Sequence, residues 1–182
     1  MRLVFMVEER SMKELLEVML PKLLPEDFET PIIVPHNGKR DLAKSIPVKL
    51  RAWQNPEDRF IIVHDQDSSD CVQLKAALKS LCENSRNDCL IRIVCTELES
   101  WYFGDLAAVS CAYGKDFTPL GLKRKYRTPD KISNAKQELR KITSLYQPIE
   151  GSKKIAAHMD IDNNTSHSFS VFINGVRKMS LP

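Results

Sequence analysis

The sequence predicts an α/β protein built on a mainly parallel, four-stranded sheet that is flanked by helices. Short apolar runs rich in β-branched residues recur in the first half of the chain, and such runs are typical of parallel strands buried on both faces. Segments with apolar residues at helical spacing separate these runs, which indicates βαβ units with right-handed crossovers. The predicted strands cover residues 3–7, 30–34, 60–63 and 89–95.

The first two helices follow from apolar spacing and from residues that begin helices. One helix is predicted over residues 12–24, with Ser11 and Glu14 in the positions of a capping box. Pro31 indicates that the second strand lies at an edge of the sheet, because proline cannot donate a ladder hydrogen bond. A second helix is predicted over residues 41–53.

Helices continue the pattern to the end of the chain. Ser68 or Ser69 is expected to cap the third helix, since serine side chains accept hydrogen bonds from first-turn amides. No further strand is predicted beyond Cys95. Two amphipathic helices are expected over residues 134–145 and 168–179.

The length and composition fit one compact domain. The chain has 182 residues, of which 42% are hydrophobic and 28% are charged, and these proportions are ordinary for a globular protein. We expect an α/β core over residues 1–105. A helical extension over residues 106–182 is expected to pack on that core.

Charge and cysteine content exclude several classes of protein. A net charge of +3 does not by itself mark a nucleic-acid-binding protein, and the five cysteines contain no C-x-x-C pair. They therefore predict neither a zinc site nor a disulfide framework. No apolar segment is long enough to span a membrane, and the N-terminus enters a strand rather than a signal peptide. We expect a cytoplasmic protein with no membrane partner.

Acidic residues follow three of the four predicted strands. Glu8 comes after the first strand, Asp65 and Asp67 after the third, and Glu97 and Glu99 after the fourth. Because the carboxyl ends of parallel strands meet at one edge of a sheet, we expect these carboxylates to lie together. Their mutual repulsion is removed by a divalent cation, and oxygen ligands suit Mg²⁺ or Mn²⁺. Such a cation serves phosphoryl transfer. The alternative is a capped, solvated turn after the third strand.

A basic stretch in the second half of the chain is a candidate nucleic-acid-binding surface. A run of like charges is usually the solvated face of a helix, and that alternative stays open. The candidate residues are Lys123, Arg124, Lys125, Arg127, Lys136 and Arg140.

Four segments carry a resemblance to a known family. They are residues 7–11 (VEERS), 64–67 (HDQD), 97–105 (ELESWYFGD) and 168–169 (SF). They resemble a family of Toprim-like proteins described only as a domain of unknown function. That family looks like the small partner of ATPases in prokaryotic defence loci. It is similar more broadly to the Toprim domain of overcoming-lysogenization-defect (OLD) nucleases, topoisomerases and primases.

The resemblance implies a Toprim-type nuclease that cleaves DNA or RNA with Mg²⁺ or Mn²⁺, as the effector subunit of an ATPase-linked defence system. By this resemblance Glu8 would transfer protons and contact the metal, while Asp65 and Asp67 would hold it. Lys153 or Lys154 would match a later lysine that OLD-type nucleases use.

The first motif departs from the family pattern. Glu9 stands where glycine is usual, and Met12 where a second glutamate is frequent. These departures leave open a non-catalytic subunit that binds nucleic acid or an ATPase partner. A haloacid-dehalogenase-like phosphatase is another alternative, because Asp65, Asp67 and Ser69 fit its Asp-x-Asp-x-Thr-like signature. In that fold, however, the nucleophilic aspartate follows the first strand.

Overall fold

A computed structural model describes residues 1–181 and confirms the α/β class. All neighbouring strands of its four-stranded sheet pair in parallel, and their order is β2-β1-β3-β4. The second strand lies at an edge, as Pro31 predicts. The strands are β1 (Leu3–Val7), β2 (Ile32–Pro35), β3 (Arg59–Asp65) and β4 (Cys89–Val94).

Helices flank the sheet and form the rest of the chain. None of the helices in residues 1–181 has the length and apolar character that crossing a membrane requires. Within the same range no strand follows β4, as predicted. The α-helices are α1 (Arg10–Leu23), α2 (Lys39–Ala52), α3 (Cys71–Ser80), α4 (Glu99–Phe103), α5 (Leu106–Tyr113), α6 (Ala135–Ile142), α7 (Pro148–His158) and α8 (His167–Met179).

The sheet separates two hydrophobic layers of unequal size. Successive side chains of a strand enter opposite layers, because they alternate between the faces of the sheet. The larger layer contains Phe5 and Val63 and is covered by α1 and the C-terminal helices. The smaller layer contains Met6 and Ile62 and is covered by α2 and α3. Burial on both faces explains why β1 and β3 appear as unbroken apolar runs in the sequence.

The C-terminal helices pack on the larger layer. The Lys22 ammonium at the end of α1 donates a hydrogen bond of 2.9 Å to the Ala156 carbonyl near the end of α7. The Thr165 amide donates to the Gly104 carbonyl at 3.0 Å and so joins the start of α8 to the end of α4. Residues 106–181 therefore share one core with the sheet. The position of the domain boundary stays a prediction.

The predicted capping box of the first helix is wrong. The helix starts at Arg10 rather than at residue 12, and Glu9 is its N-cap residue. Ser11 therefore lies inside the first turn, where its hydroxyl contacts the Glu9 carboxylate at 3.4 Å. The turn between β1 and α1 is too short to place Ser11 ahead of the helix.

The predicted cap of the third helix is also wrong. Asp70, rather than Ser68 or Ser69, caps this helix by accepting a hydrogen bond of 2.9 Å from the Gln73 amide. The cause is the turn after β3, in which Asp67 adopts a left-handed conformation with a φ of 51°. That turn delays the start of the helix.

Asp58 is a fully buried carboxylate at the amino end of the central strands. It accepts hydrogen bonds from the Arg2 backbone amide at 3.1 Å and the Arg2 guanidinium at 3.0 Å. It also accepts from the Trp53 indole at 3.0 Å and the Asn55 side-chain amide at 3.1 Å. Burial opposes ionisation of this group, but the hydrogen bonds from Trp53 and Arg2 outweigh it and lower the pKa of Asp58. Ionised Asp58 therefore links the start of β3 to Arg2 at the start of β1.

We predict that Asp58→Ala lowers the free energy of unfolding by about 3 kcal/mol, because several buried donors lose their acceptor. Urea denaturation at neutral pH measures this loss. Asp162→Ala is the control, since Asp162 is exposed and pairs with Arg177 at 2.6 Å, and we expect it to cost at most about 1 kcal/mol. Equal losses from the two variants would contradict the prediction.

Candidate active site

The carboxyl ends of β1 and β3 form the topological switch point of the sheet. The chain leaves β1 for β2 on one side and returns to β3 on the other side of β1. Ligands of open α/β sheets bind in the crevice at such a point. Val7 pairs with Val63 at the end of the ladder. Glu8, which follows Val7, therefore lies beside the end of β3, where Asp65 is the last residue and pairs with Val94 of β4.

The Glu8 carboxylate contacts the end of β3 directly. Its Oε2 atom lies 3.3 Å from the Asp65 backbone nitrogen, which donates a hydrogen bond to it, and 3.3 Å from His64 Nδ1. The Glu8 side chain is only 13% exposed. Burial raises the pKa of Glu8, and the His64 ring and the Asp65 amide offset part of this effect. Glu8 thus holds its proton to a higher pH than a free glutamate does.

Asp65 is the second member of this pair. Its Oδ2 atom accepts a hydrogen bond of 3.3 Å from the Leu98 amide. Burial, followed by the negative charges of Glu8 and Glu99, raises the pKa of Asp65 well above its usual range. We call Glu8 and Asp65 the acidic pair.

Asp67 lies beyond the end of β3 and is not part of the strand. It lies in the left-handed turn after β3, and its carboxylate pairs with Lys39 of α2 at 3.1 Å. Asp67 remains near the acidic pair, because its charge contributes to the raised pKa of Glu8. It therefore borders the site at a more exposed position.

Glu97 and Glu99 are held by other groups of the protein. Glu99 is 1% exposed and accepts a hydrogen bond of 2.7 Å from the Tyr146 hydroxyl. Glu97 accepts a hydrogen bond of 2.9 Å from the Lys136 amide. Burial raises the pKa of Glu99, although Lys136 and Tyr146 act in the opposite direction. Both predicted metal ligands thus follow β4 at the carboxyl edge of the sheet, and we call this edge, with its carboxylates, the acidic rim. Both carboxylates already accept hydrogen bonds from other parts of the protein.

Lys136 was predicted to bind nucleic acid, but its ammonium group faces the acidic rim. Nζ lies 3.7 Å from the Glu9 carboxylate, and the side chain is only 30% exposed. Partial burial opposes its charge, but four carboxylates outweigh burial and raise the pKa of Lys136. These carboxylates belong to Glu99, Glu9, Glu97 and Asp65. Lys136 therefore supplies part of the neutralisation that the sequence alone assigned to a metal.

The acidic pair supplies two carboxylates that could hold a divalent cation. Among residues 1–181, no group of three or more His, Cys, Asp or Glu side chains is arranged to hold a metal ion. Mg²⁺ is, however, often bound by one or two carboxylates together with substrate phosphates and water. Glu8 and Asp65 are two such carboxylates, and burial, together with neighbouring negative charges, raises the pKa of each.

No contact found within residues 1–181 joins the remaining basic candidates to this pair. Lys125 forms an ion pair with Glu138, and the Arg127 guanidinium donates to the Leu122 carbonyl at 3.1 Å. Both residues lie in the turns that join Leu122 to Pro129 rather than on a helix face, so this part of the basic stretch is a solvated turn. The other exposed basic candidates are Lys123, Arg124 and Arg140.

The two lysines proposed as catalytic lie on α7. Lys154 pairs with Glu150 at 3.1 Å, with both side chains more than half exposed. Lys153 is exposed as well. No contact found within residues 1–181 joins either lysine to the acidic pair, so a catalytic role for them gains no structural support.

His64 belongs to the site although its sequence position does not suggest it. The ring is 5% exposed, and Nδ1 lies 2.5 Å from the Asp65 carbonyl as well as close to Glu8. Alternation along β3 places His64 on the opposite face from Asp65. Glu8 reaches the ring from the neighbouring strand, and no local pattern predicts such a contact.

Comparison with known families places the chain in one of them. A family model described as "Domain of unknown function (DUF4276)" matches residues 7–177. The chain belongs to this family. The match includes all four segments that carry the sequence resemblance, and it confirms the resemblance at the level of a family of unknown function. Curated proteins and solved structures gave no match.

We predict that Asp65→Asn stabilises the protein at neutral pH. Because folding raises the pKa of Asp65, the folded state binds that proton more tightly than the unfolded chain does. The Asp65 carboxylate therefore does not lower the free energy of unfolding at a pH below its pKa in the unfolded chain. It lowers that free energy increasingly as the pH rises towards its raised pKa in the folded protein. Asparagine removes the charge and still accepts the Leu98 amide, so we expect a gain of about 1 kcal/mol.

Urea denaturation of both proteins between about pH 4 and pH 8 measures this gain. The gain should shrink toward the acidic end of the range. Asp67→Asn is the control, because it removes only an exposed ion pair and should change stability by less than about 1 kcal/mol. A loss of stability in Asp65→Asn at neutral pH, or a gain that does not depend on pH, would contradict the prediction.

Proposed function

We propose that this protein hydrolyses phosphodiester bonds of nucleic acid with Mg²⁺ or Mn²⁺. The observation that supports the proposal is the acidic pair, Glu8 and Asp65, at the switch point of a parallel sheet. Its carboxylates lie on adjacent strands, are largely withdrawn from water and have raised pKa values. The resemblance of residues 7–11, 64–67 and 97–105 to Toprim motifs supports the same chemistry.

In this proposal Glu8 and Asp65 bind the cation jointly with phosphate oxygens of the substrate. Once bound, the cation supplies an activated water and stabilisation of the leaving oxygen. Glu8 also accepts or donates a proton at its carboxylate, since a raised pKa brings an acid closer to the working pH. His64 orients Glu8 through the 3.3 Å contact between Nδ1 and Oε2.

Lys136 acts on the other half of the rim. Its fixed positive charge lies among carboxylates that would otherwise repel an incoming phosphate. Together with the Tyr146 hydroxyl, it holds Glu97 and Glu99 within the fold. Lys136 thereby directs a cation towards Glu8 and Asp65.

A non-catalytic subunit is the second candidate function. Lys136 occupies the acidic rim, and Asp67 pairs with Lys39, so only two carboxylates remain for a metal. A degenerate site of this kind would bind nucleic acid or an ATPase partner without cleaving it. This candidate differs from the first in one measurable property, namely hydrolysis.

We further propose a cytoplasmic role as the effector subunit of an ATPase-linked prokaryotic defence system. The support for this role is the family resemblance of residues 7–11 and 97–105. An ATPase gene beside the gene for this chain would strengthen the proposal. Copurification of the two proteins would test the association directly.

We predict that Glu8→Gln lowers metal-dependent cleavage about 10²- to 10⁴-fold, because it removes a proton-transfer group. Asp65→Asn should lower cleavage at least as much, since it removes a metal ligand while stabilising the fold. Asp67→Asn should have a smaller effect because Asp67 lies at the border of the site. Asp162→Asn is an exposed control that should retain full activity.

Gel assays with labelled DNA and RNA, in Mg²⁺, Mn²⁺ or EDTA, measure these effects. Undiminished cleavage by Asp65→Asn would refute the nuclease proposal. A wild-type protein that is inactive both alone and with a neighbouring ATPase would support the non-catalytic candidate. A covalent phosphate on Asp65 would instead indicate the phosphatase alternative.

A further inference from the structure

A second cavity lies next to the acidic pair. It has a volume of about 460 Å³ and is formed where α1, α2 and α7 begin. Glu9 and Ser11 line both this cavity and the small cleft over Glu8 and Asp65. The two spaces are therefore neighbours, and a molecule bound at the acidic pair lies beside the cavity.

Three helix N-termini face this cavity. The helices α1, α2 and α7 have 14, 14 and 11 residues, and within the described part of the chain no side chain caps any of them. First-turn amides without partners, together with the helix dipole, favour an anion. The carboxylates of these first turns are engaged elsewhere, because Glu9 pairs with Lys136, Glu150 pairs with Lys154, and Asp41 accepts a hydrogen bond from the amide of the preceding turn.

His36 gives an independent indication of a ligand. The residue lines the cavity and is only 7% exposed. Its Nδ1 atom lies 2.9 Å from the Val7 carbonyl, and Nδ1 must carry the proton because a carbonyl only accepts. Nε2 points away from that carbonyl and has no hydrogen-bond partner within residues 1–181. A buried polar atom without a partner is costly, and a bound group would satisfy it.

The remaining walls define what kind of group fits. Arg10 occupies the first position of α1 and is exposed, with no ion pair found for it within residues 1–181. Pro148 and Ile149 form an apolar wall, and Ile149 is 46% exposed. The cavity thus combines a positive end with an apolar side. Its volume lies in the range of roughly 300–1,000 Å³ that is typical of small-molecule sites.

We propose that this cavity binds the phosphate of a nucleotide unit adjacent to the one held at Glu8 and Asp65. Arg10 and the first-turn amides of α1 donate hydrogen bonds to the phosphate, and His36 Nε2 accepts a hydrogen bond from a sugar hydroxyl or a base N–H of the same nucleotide unit. Pro148 and Ile149 contact the sugar and base. The link to a nucleic-acid substrate rests on the proposed function, whereas phosphate binding in the cavity does not.

Binding without cleavage tests the inference. The fluorescence anisotropy of a labelled single-stranded oligonucleotide in EDTA measures affinity when no divalent cation is present. His36→Asn keeps a donor for the Val7 carbonyl and removes only Nε2, so a loss of binding does not require a loss of folding. Arg10→Ala removes the exposed cation. Arg51→Ala is the matched control, because Arg51 is an exposed arginine at the opposite end of α2.

We expect Arg10→Ala to weaken binding about tenfold or more, which is the value of a hydrogen bond to a charged group, and His36→Asn to weaken it about fivefold, which is the value of a neutral hydrogen bond. Arg51→Ala should weaken it less than about threefold, through net charge alone. His36→Gln should recover part of the affinity, since its amide oxygen can accept a hydrogen bond near the Nε2 position. Histidine ring resonances that shift on binding and are absent in His36→Asn would locate the ligand.

Titration with inorganic phosphate and with a nucleoside monophosphate separates the possible sources of the phosphate. Binding of the oligonucleotide that exceeds both, and that depends on His36 and Arg10, supports the inference even if no cleavage is found. Equal binding of inorganic phosphate overturns the link to nucleic acid. Unchanged oligonucleotide affinity in both variants, or its absence in the wild type, overturns the inference itself.

Discussion

Repulsion between carboxylates at the carboxyl edge of the sheet is the constraint on which the site depends. The strand order puts Glu8 beside Asp65, and the chain after β4 adds Glu97 and Glu99. Lys136 and Tyr146 offset the negative charge of Glu97 and Glu99, whereas no lysine or arginine of residues 1–181 forms an ion pair with Glu8 or Asp65. Burial raises the pKa of Glu8, Asp65 and Glu99 alike. The residues that compensate Glu97 and Glu99 come from the C-terminal half. That half therefore completes the electrostatics of the sheet as well as its core.

The charge and hydrogen-bonding groups of the acidic rim vary along its length. The side near α6 has its acids matched by an ammonium and a hydroxyl, and the centre has two unmatched carboxylates. The side where α1, α2 and α7 begin presents amides, Arg10 and His36. A cation is therefore favoured at the centre and an anion beside it. In the proposed function, this order of charges would suit a nucleic-acid strand. One of its phosphates would lie at the cation, and the next would lie at the helix N-termini.

The sequence predicts local features of the fold and site and misses those that depend on packing. Apolar runs locate β1 and β3, and the residues after them, Glu8 and Asp65, meet because parallel strands end together. The roles of Lys136 and His36 were not predictable in this way. Lys136 reaches the rim from a helix that is distant in sequence, and His36 is fixed by a carbonyl of another strand. Asp67 borders the site at an exposed position because β3 ends at Asp65, and the apolar pattern does not reveal the left-handed turn that follows.

The unequal layers of the core imply that the two walls of the site differ in local stability. Glu8 and Asp65 end strands that are anchored by the larger layer, whereas α3, which follows Asp67, has Leu78 as its one buried residue. Segments with few buried apolar contacts open with less free energy than the whole molecule needs to unfold. Amides of α3 should accordingly exchange with solvent sooner than those of β1. The turn that carries Asp67 should then open more readily than the strand ends that carry Glu8 and Asp65.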